Sequence, residues 1–257
     1  MPILAVEDLA VAFGGLAALS GVGFEVGEGE IFGLIGPNGA GKTTVFNVLT
    51  GLYRPARGRL SFAGIDLTRL SPHRIAQAGV GRTFQNTEVF RALSALDNVL
   101  VGAHSSLQGG ILSAAVGAPG VRREEALARA RARALLERVG LADVTDVEAG
   151  SLPLGRQKRL EMARALAARP RLLLLDEPAG GLNPTETRML MELIRRLRDE
   201  LSLTLMVVEH DMELVMGLCE RVAVLHYGRK IAEGTPREVA ADAAVIEAYL
   251  GSASDVA

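Results

Sequence analysis

Short apolar runs separated by glycine-rich turns fill the first third of the chain. Leu4–Phe13 and Gly23–Val26 mix apolar with polar or small residues and predict strands. Ile31–Ile35 is almost wholly apolar, and it is followed by glycine and then by a helix that begins at Lys42. A further strand pair is predicted on either side of Gly64. These patterns predict a β-rich opening that leads into a strand, a glycine-rich loop and a helix.

The middle third has a helical pattern. Ser94–His104, Arg122–Val139 and Arg156–Ala168 predict helices, and a stretch of small residues at 105–121 joins the first two. The second helix is rich in arginine, but glutamates interleave with the arginines. Four of its apolar residues recur at helical spacing, namely Leu127, Ala130, Ala134 and Leu135. We therefore interpret this helix as amphipathic with a solvated basic face, in preference to a polyanion site.

Strand and helix patterns alternate in the last third. Leu172–Leu175 is wholly apolar, as expected of a parallel strand that is buried on both faces. The later predicted elements are helices at Thr185–Leu201 and Met212–Leu218, strands at Thr204–Val208 and Val222–Leu225, and two short helices after Pro236. The 257 residues therefore predict one α/β domain with an inserted lobe.

Composition narrows the class of function. The net charge of −2 lacks the basic excess that is typical of a nucleic-acid-binding domain. The single cysteine, Cys219, excludes a disulfide within the chain and suits a reducing compartment. No apolar run approaches the roughly 18 residues that a membrane helix needs, and Met1–Phe13 lacks the basic start of a signal peptide. If the protein works at a membrane, we expect it to do so by binding another chain.

The strongest chemical signal follows directly after Ile31–Ile35. The segment reads Gly36, Pro37, Asn38, Gly39, Ala40, Gly41, Lys42, Thr43 and Thr44, which matches the phosphate-binding pattern G-x-x-x-x-G-K-[ST]. Glycines let several backbone N–H groups point at phosphate oxygens, and the helix N-terminus adds partial positive charge. Lys42 would bring a point charge to the β- and γ-phosphates, and Thr43 a hydroxyl to Mg²⁺. The loop therefore predicts a site for ATP with Mg²⁺.

The strand Leu172–Leu175 carries the second half of this site. Asp176 at its end can reach Mg²⁺ or its water, and Glu177 is the candidate general base or water-positioning residue. Gln85 and His210 would mean little alone, because single residues of these types are usually structural. Their order along the chain, after a phosphate loop, makes both of them candidates for the same site.

Together these segments make the chain resemble an ABC-type ATPase over essentially its whole length. The phosphate loop is similar to the first nucleotide motif of that family, and Asp176-Glu177-Pro178 to the second. The resemblance implies that Gln85 binds the metal and couples to the helical lobe, that His210 is the switch histidine, and that Phe13 stacks on adenine. The implied signature segment, which serves the nucleotide on the opposite subunit, is Leu152, Pro153, Leu154, Gly155, Arg156 and Gln157.

The resemblance extends to one branch of the family. Gly81–Gln85, Glu177–Thr187, Glu209–Met212 and Val245–Gly251 are similar to the ATPases of branched-chain amino acid importers. The extra length at Ser105–Val121 resembles the longer of the two ATPases that those importers use. Branched-chain amino acids are therefore the implied cargo. Amides, urea or other small organic solutes are alternatives, because other subunits recognise the cargo.

The family fold implied by this resemblance is an α/β P-loop fold in two lobes. Residues 1–85 and 166–235 would form a RecA-like nucleotide core with an antiparallel β subdomain, residues 86–165 a mainly helical subdomain, and residues 236–257 a helical tail. Two subunits would close head to tail around two ATP molecules at the cytoplasmic face of the membrane. They would act on two integral membrane permease subunits, with a solute-binding protein as an indirect partner and no nucleic acid.

A docking surface for the membrane subunits is predicted next to Gln85. In the stretch 86–93, Val89, Phe90 and Leu93 are apolar among polar residues. Apolar groups that a soluble subunit exposes favour a protein interface. We expect this stretch to contact a cytoplasmic helix of the permease.

Two departures from the family pattern concern the signature and the dimer-facing loop. The family signature reads Leu-Ser-x-Gly-Gln, whereas Pro153 replaces the serine and Arg156 the glutamine. Proline has neither a hydroxyl nor an N–H to donate to phosphate. Asn183 replaces an aspartate at the end of the dimer-facing loop Ala179–Asn183. The altered signature predicts a dimer with a paralogous ATPase whose signature is orthodox.

Two other classes of protein stay open as alternatives. A regulator that binds ATP but barely hydrolyses it would also tolerate the altered signature, although Lys42, Asp176, Glu177 and His210 are intact. A non-transport ABC protein of translation or DNA repair is disfavoured, because the chain has one ATPase unit and no sustained heptads.

Overall fold

The computed structural model describes residues 2–83, 88–103 and 119–250. Its strands are Pro2–Phe13 (β1), Leu16–Gly27 (β2), Ile31–Ile35 (β3), Arg57–Phe62 (β4), Ile65–Asp66 (β5), Val80–Arg82 (β6), Leu172–Asp176 (β7), Thr204–Val208 (β8), Arg221–His226 (β9) and Arg229–Gly234 (β10). Its helices are Lys42–Leu49 (α1), Pro72–Ala78 (α2), Ala95–Ala103 (α3), Pro119–Arg138 (α4), Leu154–Leu166 (α5), Pro184–Leu201 (α6), Met212–Leu218 (α7), Pro236–Ala240 (α8) and Ala243–Leu250 (α9).

Two sheets form the core. The first is antiparallel, in the order β2-β1-β4-β5, and the second has the order β10-β9-β3-β8-β7-β6. In the second sheet β9, β3, β8, β7 and β6 run parallel, and β10 is antiparallel at the edge. The predicted α/β core with an antiparallel β subdomain is confirmed. The sequence missed the strand Val80–Arg82, because three residues are too short to establish a period.

The parallel strands are buried on both faces, and alternate residues contribute to different cores. Leu172 and Leu174 pack with α1 and the antiparallel sheet. Leu173 and Leu175 pack with α6, α7 and the helices that precede β7. Because side chains alternate along a strand, a wholly apolar run is what a strand between two cores requires.

Helices α3, α4 and α5 pack on one another in a separate layer. The residues of α4 that are buried are Ala128, Ala132 and Leu136, whereas Leu127 is 48% exposed and Ala130 and Ala134 are exposed. The predicted amphipathic helix is therefore present, but three of the four residues assigned to its apolar face are exposed, and only Leu135 packs against the core. Alanine occurs on several faces of this helix, so only its packing on α3 and α5 decides which face is buried. The domain limits drawn from the sequence stay a prediction.

Helix termini explain several of the observed boundaries. Asn183 caps α6, since its side chain accepts from the N–H groups of Thr185 and Glu186 while the Glu186 carboxylate accepts from the N–H of Asn183. The residue that replaces the family aspartate therefore acts here as a helix cap. No helix in the described part of the chain is both long and apolar enough to cross a membrane.

Candidate nucleotide site

The predicted site residues meet because of the strand order. β3, β8 and β7 are parallel neighbours, and Val208 pairs with Leu34 on one side and with Asp176 on the other. The carboxyl ends of these strands therefore lie at one edge of the sheet. The phosphate loop, Asp176-Glu177 and Glu209-His210 each follow one of these ends, which is where ligands bind in open α/β sheets.

The phosphate loop lies beside a cavity of about 390 Å³. Residues that line it are Leu16, Ala17, Ala18, Asn38, Gly39, Ala40, Gly41, Lys42, Thr43, Thr44, Glu177, Tyr227 and Gly228. Gly41 has a φ of 104°, a left-handed conformation that favours glycine. At Gly36 an added Cβ would lie 2.1 Å from the carbonyl oxygen of Leu225, so only glycine fits between the loop and β9. The loop thus has the curled backbone that phosphate binding requires.

Lys42 is the first residue of α1, and its side chain is 7% exposed. Its ammonium donates to the carbonyl oxygens of Gly36 at 2.6 Å and Pro37 at 3.0 Å. Burial lowers the pKa of Lys42, while the charges of Glu177 and Asp176 oppose that change. The ammonium is therefore already held over the loop, next to the two acids that the sequence assigned to the same site.

Asp176 is buried at the end of β7, at 2% exposure. Its Oδ2 accepts from Nη2 of Arg82 at 2.7 Å, and Nη1 of Arg82 donates to Oδ1 of Asn47 at 2.7 Å. Burial raises the pKa of Asp176, and the hydrogen bond and charge of Arg82 oppose that rise. Oδ1 of Asp176 is buried and has no hydrogen-bond partner among the described residues. That free carboxylate oxygen fits a place beside a divalent cation or its water.

Glu177 and His210 face each other across the same edge. Nδ1 of His210 is 3.9 Å from a carboxylate oxygen of Glu177, and the Glu177 side chain is 21% exposed whereas that of His210 is 61% exposed. Glu177 has a φ of 46°, which is uncommon for a residue with a side chain. Its N–H donates to the carbonyl of Val208 at 2.9 Å, which fixes the peptide against β8. Unusual backbone conformations of this kind cluster at functional sites.

The structure does not test two of the predicted site residues at this cavity. Gln85 lies outside the described residues. Phe13 is on β1, but it is not part of the cavity lining, and its ring packs edge-on against Tyr53 with the centroids 5.0 Å apart. Tyr227, which the sequence did not single out, lines the cavity and is 82% exposed. The stacking of Phe13 on adenine stays a prediction.

The signature segment lies away from this cavity, at the start of α5. Pro153 is the N-cap residue of that helix, and no side chain caps the N-terminus. Nη1 of Arg156 is 2.8 Å from Oδ2 of Asp143, and Nε2 of Gln157 donates to the carbonyl of Leu152 at 2.7 Å. The first N–H groups of a helix have no acceptor one turn earlier, although those of Arg156 and Gln157 here donate to the carbonyl of Pro153. This end of α5 can therefore offer backbone donors to an anion, but no serine hydroxyl.

Three further charged residues contact the site and were given no role from the sequence. Arg82 donates a hydrogen bond to Asp176. Glu209 is 1% exposed and precedes His210 in the chain. Lys158 on α5 is 7% exposed, and its ammonium is 3.2 Å from the carbonyl oxygen of Glu177. Charged side chains are usually exposed, so a sequence alone does not indicate which of them are buried. The one available signal was position, because Glu209 comes directly after the apolar strand β8.

The fold and the site define a P-loop ATPase, and comparison with known proteins specifies which kind. Residues 19–180 match the family described as ABC transporter, and residues 229–255 match a family described as branched-chain amino acid ATP-binding cassette transporter. The chain therefore belongs to the ABC transporter family. It is an ATP-binding and ATP-hydrolysing subunit of a transporter.

Individual relatives agree with this assignment. The high-affinity branched-chain amino acid transport ATP-binding protein LivG of Salmonella typhimurium is 46% identical over 98% of this chain and 99% of its own. The ADP-bound structure of the ATP-binding cassette MJ1267 superposes with a TM-score of 0.86 at 31% identity, covering 98% of this chain and 99% of the other. The dimeric, ADP- and phosphate-bound structure of the cassette MJ0796 superposes with a TM-score of 0.75 at 26% identity, covering 91% and 99%.

Proposed function

We propose that this chain powers the import of branched-chain amino acids through separate membrane permease subunits, from the cytoplasmic face of the membrane. The observation that carries the cargo assignment is the near full-length similarity to LivG, whose name states that cargo. The match of residues 229–255 to a branched-chain amino acid transporter family supports the same cargo independently of the phosphate loop. The cavity at the phosphate loop supports the role as motor.

The geometry supports a proposed role for each of the described site residues. Lys42 and the loop N–H groups hold the β- and γ-phosphates, because the ammonium and the helix N-terminus are positive there. Thr43 and Asp176 would hold Mg²⁺, Asp176 through its free oxygen, and the family resemblance adds Gln85 to that set. Bound Mg²⁺ neutralises charge on the phosphate oxygens. Glu177 orients the attacking water and takes its proton, and His210, 3.9 Å from Glu177, contacts the same region.

A head-to-tail dimer is part of this proposal. The signature segment starts α5 and does not line the cavity at the phosphate loop, so one chain does not surround its own nucleotide. A second ATPase subunit would supply the missing signature and receive this one. Because Pro153 has replaced the serine, we propose that the second subunit is a paralogue.

The permease subunits are proposed to dock in a groove between α2, β6 and α3. This groove has a volume of about 780 Å³ and is lined by Leu52, Ile75, Phe90, Val101 and Arg164, among others. Phe90 is 49% exposed, Leu52 54% and Val101 44%. Of the three apolar residues that the sequence assigned to this surface, Val89 is buried and Leu93 is half-buried, so Phe90 alone is exposed. A concave surface with several exposed apolar side chains suits an amphipathic helix of the permease.

Transport by the purified, assembled transporter in proteoliposomes tests the proposal. With ATP on the side of this subunit and a solute-binding protein on the other, labelled leucine should accumulate. Excess unlabelled isoleucine or valine should suppress that uptake, whereas urea and acetamide should not. Uptake of urea or acetamide with no uptake of leucine would replace the cargo assignment by one of its alternatives.

A further inference from the structure

Lys158 is a buried lysine on the helix that begins at the signature. It lies one turn after Gly155 on α5 and is 7% exposed. Its ammonium donates to the backbone carbonyl of Glu177 at 3.2 Å, and an added Cβ at Gly180 would lie 3.8 Å from it. The ammonium therefore contacts the backbone of the residue proposed as the base and lies beside the dimer-facing loop that follows it.

Three glutamates surround the buried ammonium of Lys158. Burial lowers the pKa of Lys158, while the charges of Glu161, Glu209 and Glu177 oppose that change. Glu161 is 4% exposed and pairs with Arg164 at 3.8 Å. Burying a charged group lowers the stability of the fold unless other charges or hydrogen bonds compensate. A cluster of buried charges beside this loop therefore carries a free-energy cost for folding.

Glu209 joins two loops of the site through one carboxylate. It is 1% exposed, and its Oε1 accepts from the N–H of Ala179 in the dimer-facing loop at 2.8 Å. Its Oε2 accepts from the N–H groups of His210 at 3.0 Å and Asp211 at 3.3 Å. Removal of Oε1 would leave the buried N–H of Ala179 without an acceptor, and removal of Oε2 would free two part-buried N–H groups.

The backbone of Glu177 is held by hydrogen bonds at both its N–H and its carbonyl. Its carbonyl accepts from Lys158 and also from the N–H of Gly180 at 3.1 Å, and its own N–H is bonded to Val208. The left-handed φ of 46° needs such support from the surroundings. A movement of α5 would therefore be transmitted to the Glu177 peptide through the Lys158 side chain.

We propose that Lys158 and Glu209 are positioning residues. Lys158 connects the signature helix to Glu177, and Glu209 connects the dimer-facing loop to His210. The signature, which would serve the nucleotide on the other subunit, and the base, which would serve the nucleotide bound to this chain, are therefore positioned together. This inference rests on the proposed roles of Glu177 and His210. Neither Lys158 nor Glu209 lines the cavity at the phosphate loop, so both act on hydrolysis through other residues and not on nucleotide binding.

Steady-state kinetics of the assembled transporter test this coupling. Lys158→Met removes the donor at similar length, and Glu209→Gln replaces one acceptor oxygen by an NH₂ group. Each should lower kcat for ATP hydrolysis by about tenfold, the effect of about one lost hydrogen bond, and leave the KM for ATP and the affinity of the chain for a fluorescent ATP analogue within about twofold. Lys158→Arg should recover much of the loss. The matched controls are Lys230→Met and Glu213→Gln, which change exposed residues and should leave kcat unaltered.

The double variant adds a second criterion. If Lys158 and Glu209 act as one unit, Lys158→Met with Glu209→Gln should cost little more than either change alone. Unaltered kcat in both single variants overturns the inference, and so does a parallel loss of kcat and ATP affinity in folded protein. If Lys158→Met does not fold, Glu209→Asp and Lys158→Arg are measured in its place. A lower kcat in Glu209→Asp with an unchanged KM for ATP supports the inference, and an unaltered kcat in both variants overturns it.

Glu177→Gln is measured alongside these variants. If it hydrolyses ATP at the wild-type rate, the proposed base is wrong. If it is inactive while the Lys158 and Glu209 variants keep kcat, only the positioning inference fails.

Discussion

The two half-sites that this chain carries are held in different ways. At the nucleotide edge of the sheet, Asp176 forms an ion pair with Arg82, which is 94 residues away in sequence. Glu209 accepts a hydrogen bond from the N–H of Ala179, which is 30 residues away. Both acids are at most 2% exposed. The position of each charge is therefore set by contacts between distant parts of the chain.

The signature at the start of α5 is held mainly by neighbours in the chain. Gln157 bonds to Leu152 five residues away, and the side chain of Arg156, which is 41% exposed, pairs with Asp143 thirteen residues away. Pro153 and Leu154 are exposed. In the proposed dimer, the preorganised half-site would serve the nucleotide bound to this chain, and the exposed half-site with local support would serve the nucleotide on the other subunit. Changes in the first should be severe and act mainly on the nucleotide bound to this chain, and changes in the second should be milder and act mainly on the other nucleotide.

The largest effect is expected in the preorganised half. Glu177→Gln should reduce ATP hydrolysis by roughly 100-fold or more, the scale of a lost general base, and should leave ATP affinity intact. Lys42→Ala should lose affinity as well, because the ammonium lies on the phosphate loop. Hydrolysis rates and nucleotide affinities of the assembled transporter are compared, with Glu213→Gln as the control. A wild-type rate for Glu177→Gln would show that another residue is the base.

The sequence predicted the individual segments of this preorganised half, but not the contacts between distant segments. The strand Leu172–Leu175 and the phosphate loop could be predicted, because burial on both faces and phosphate binding each impose a local pattern. The pairing of Asp176 with Arg82 could not, because β6 is only three residues long and each of its residues pairs with a residue of β7 that lies 92 positions further along the chain. The burial of Lys158 was equally hidden, since it depends on where α5 packs and not on the residues next to it in sequence.

An intermediate effect is expected in the signature half. A missing hydrogen bond to a charged phosphate is worth about 1.5–3 kcal/mol, or about tenfold to a hundredfold in rate. In the heterodimer, Glu177→Gln in this chain should therefore abolish most turnover, and the equivalent change in the paralogue should abolish little. Equal losses from the two changes would contradict the asymmetry.

A single substitution sharpens this test. Pro153→Ser should raise the turnover of a homodimer of this chain by about tenfold or more, because it restores the hydroxyl in both sites. The backbone permits the change, since Pro153 has φ −57° and ψ 152° and Ser71, the N-cap of α2, has φ −73° and ψ 156°. Pro153→Ala removes the ring without adding a hydroxyl and is the matched control. A homodimer that is already fast, or equal gains from serine and alanine, would remove the signature as the cause.

The smallest effect is expected at the docking groove, where neither half-site is altered. Phe90 is 49% exposed and its ring lies 5.5 Å from the guanidinium of Arg164, so the side chain is already oriented in the groove. Phe90→Ala should weaken assembly with the permease by about 1–2 kcal/mol, or about five- to thirtyfold in affinity, and leave ATP affinity unchanged.

A cysteine at position 90 should form a cross-link to a cytoplasmic helix of the permease, whereas one at Leu127, which is 48% exposed on α4, should not. Background labelling is low because Cys219 is buried and burial raises the pKa of its thiol to about 12. Efficient cross-links from position 127 with none from position 90 would move the permease contact from this groove to the outer face of α4.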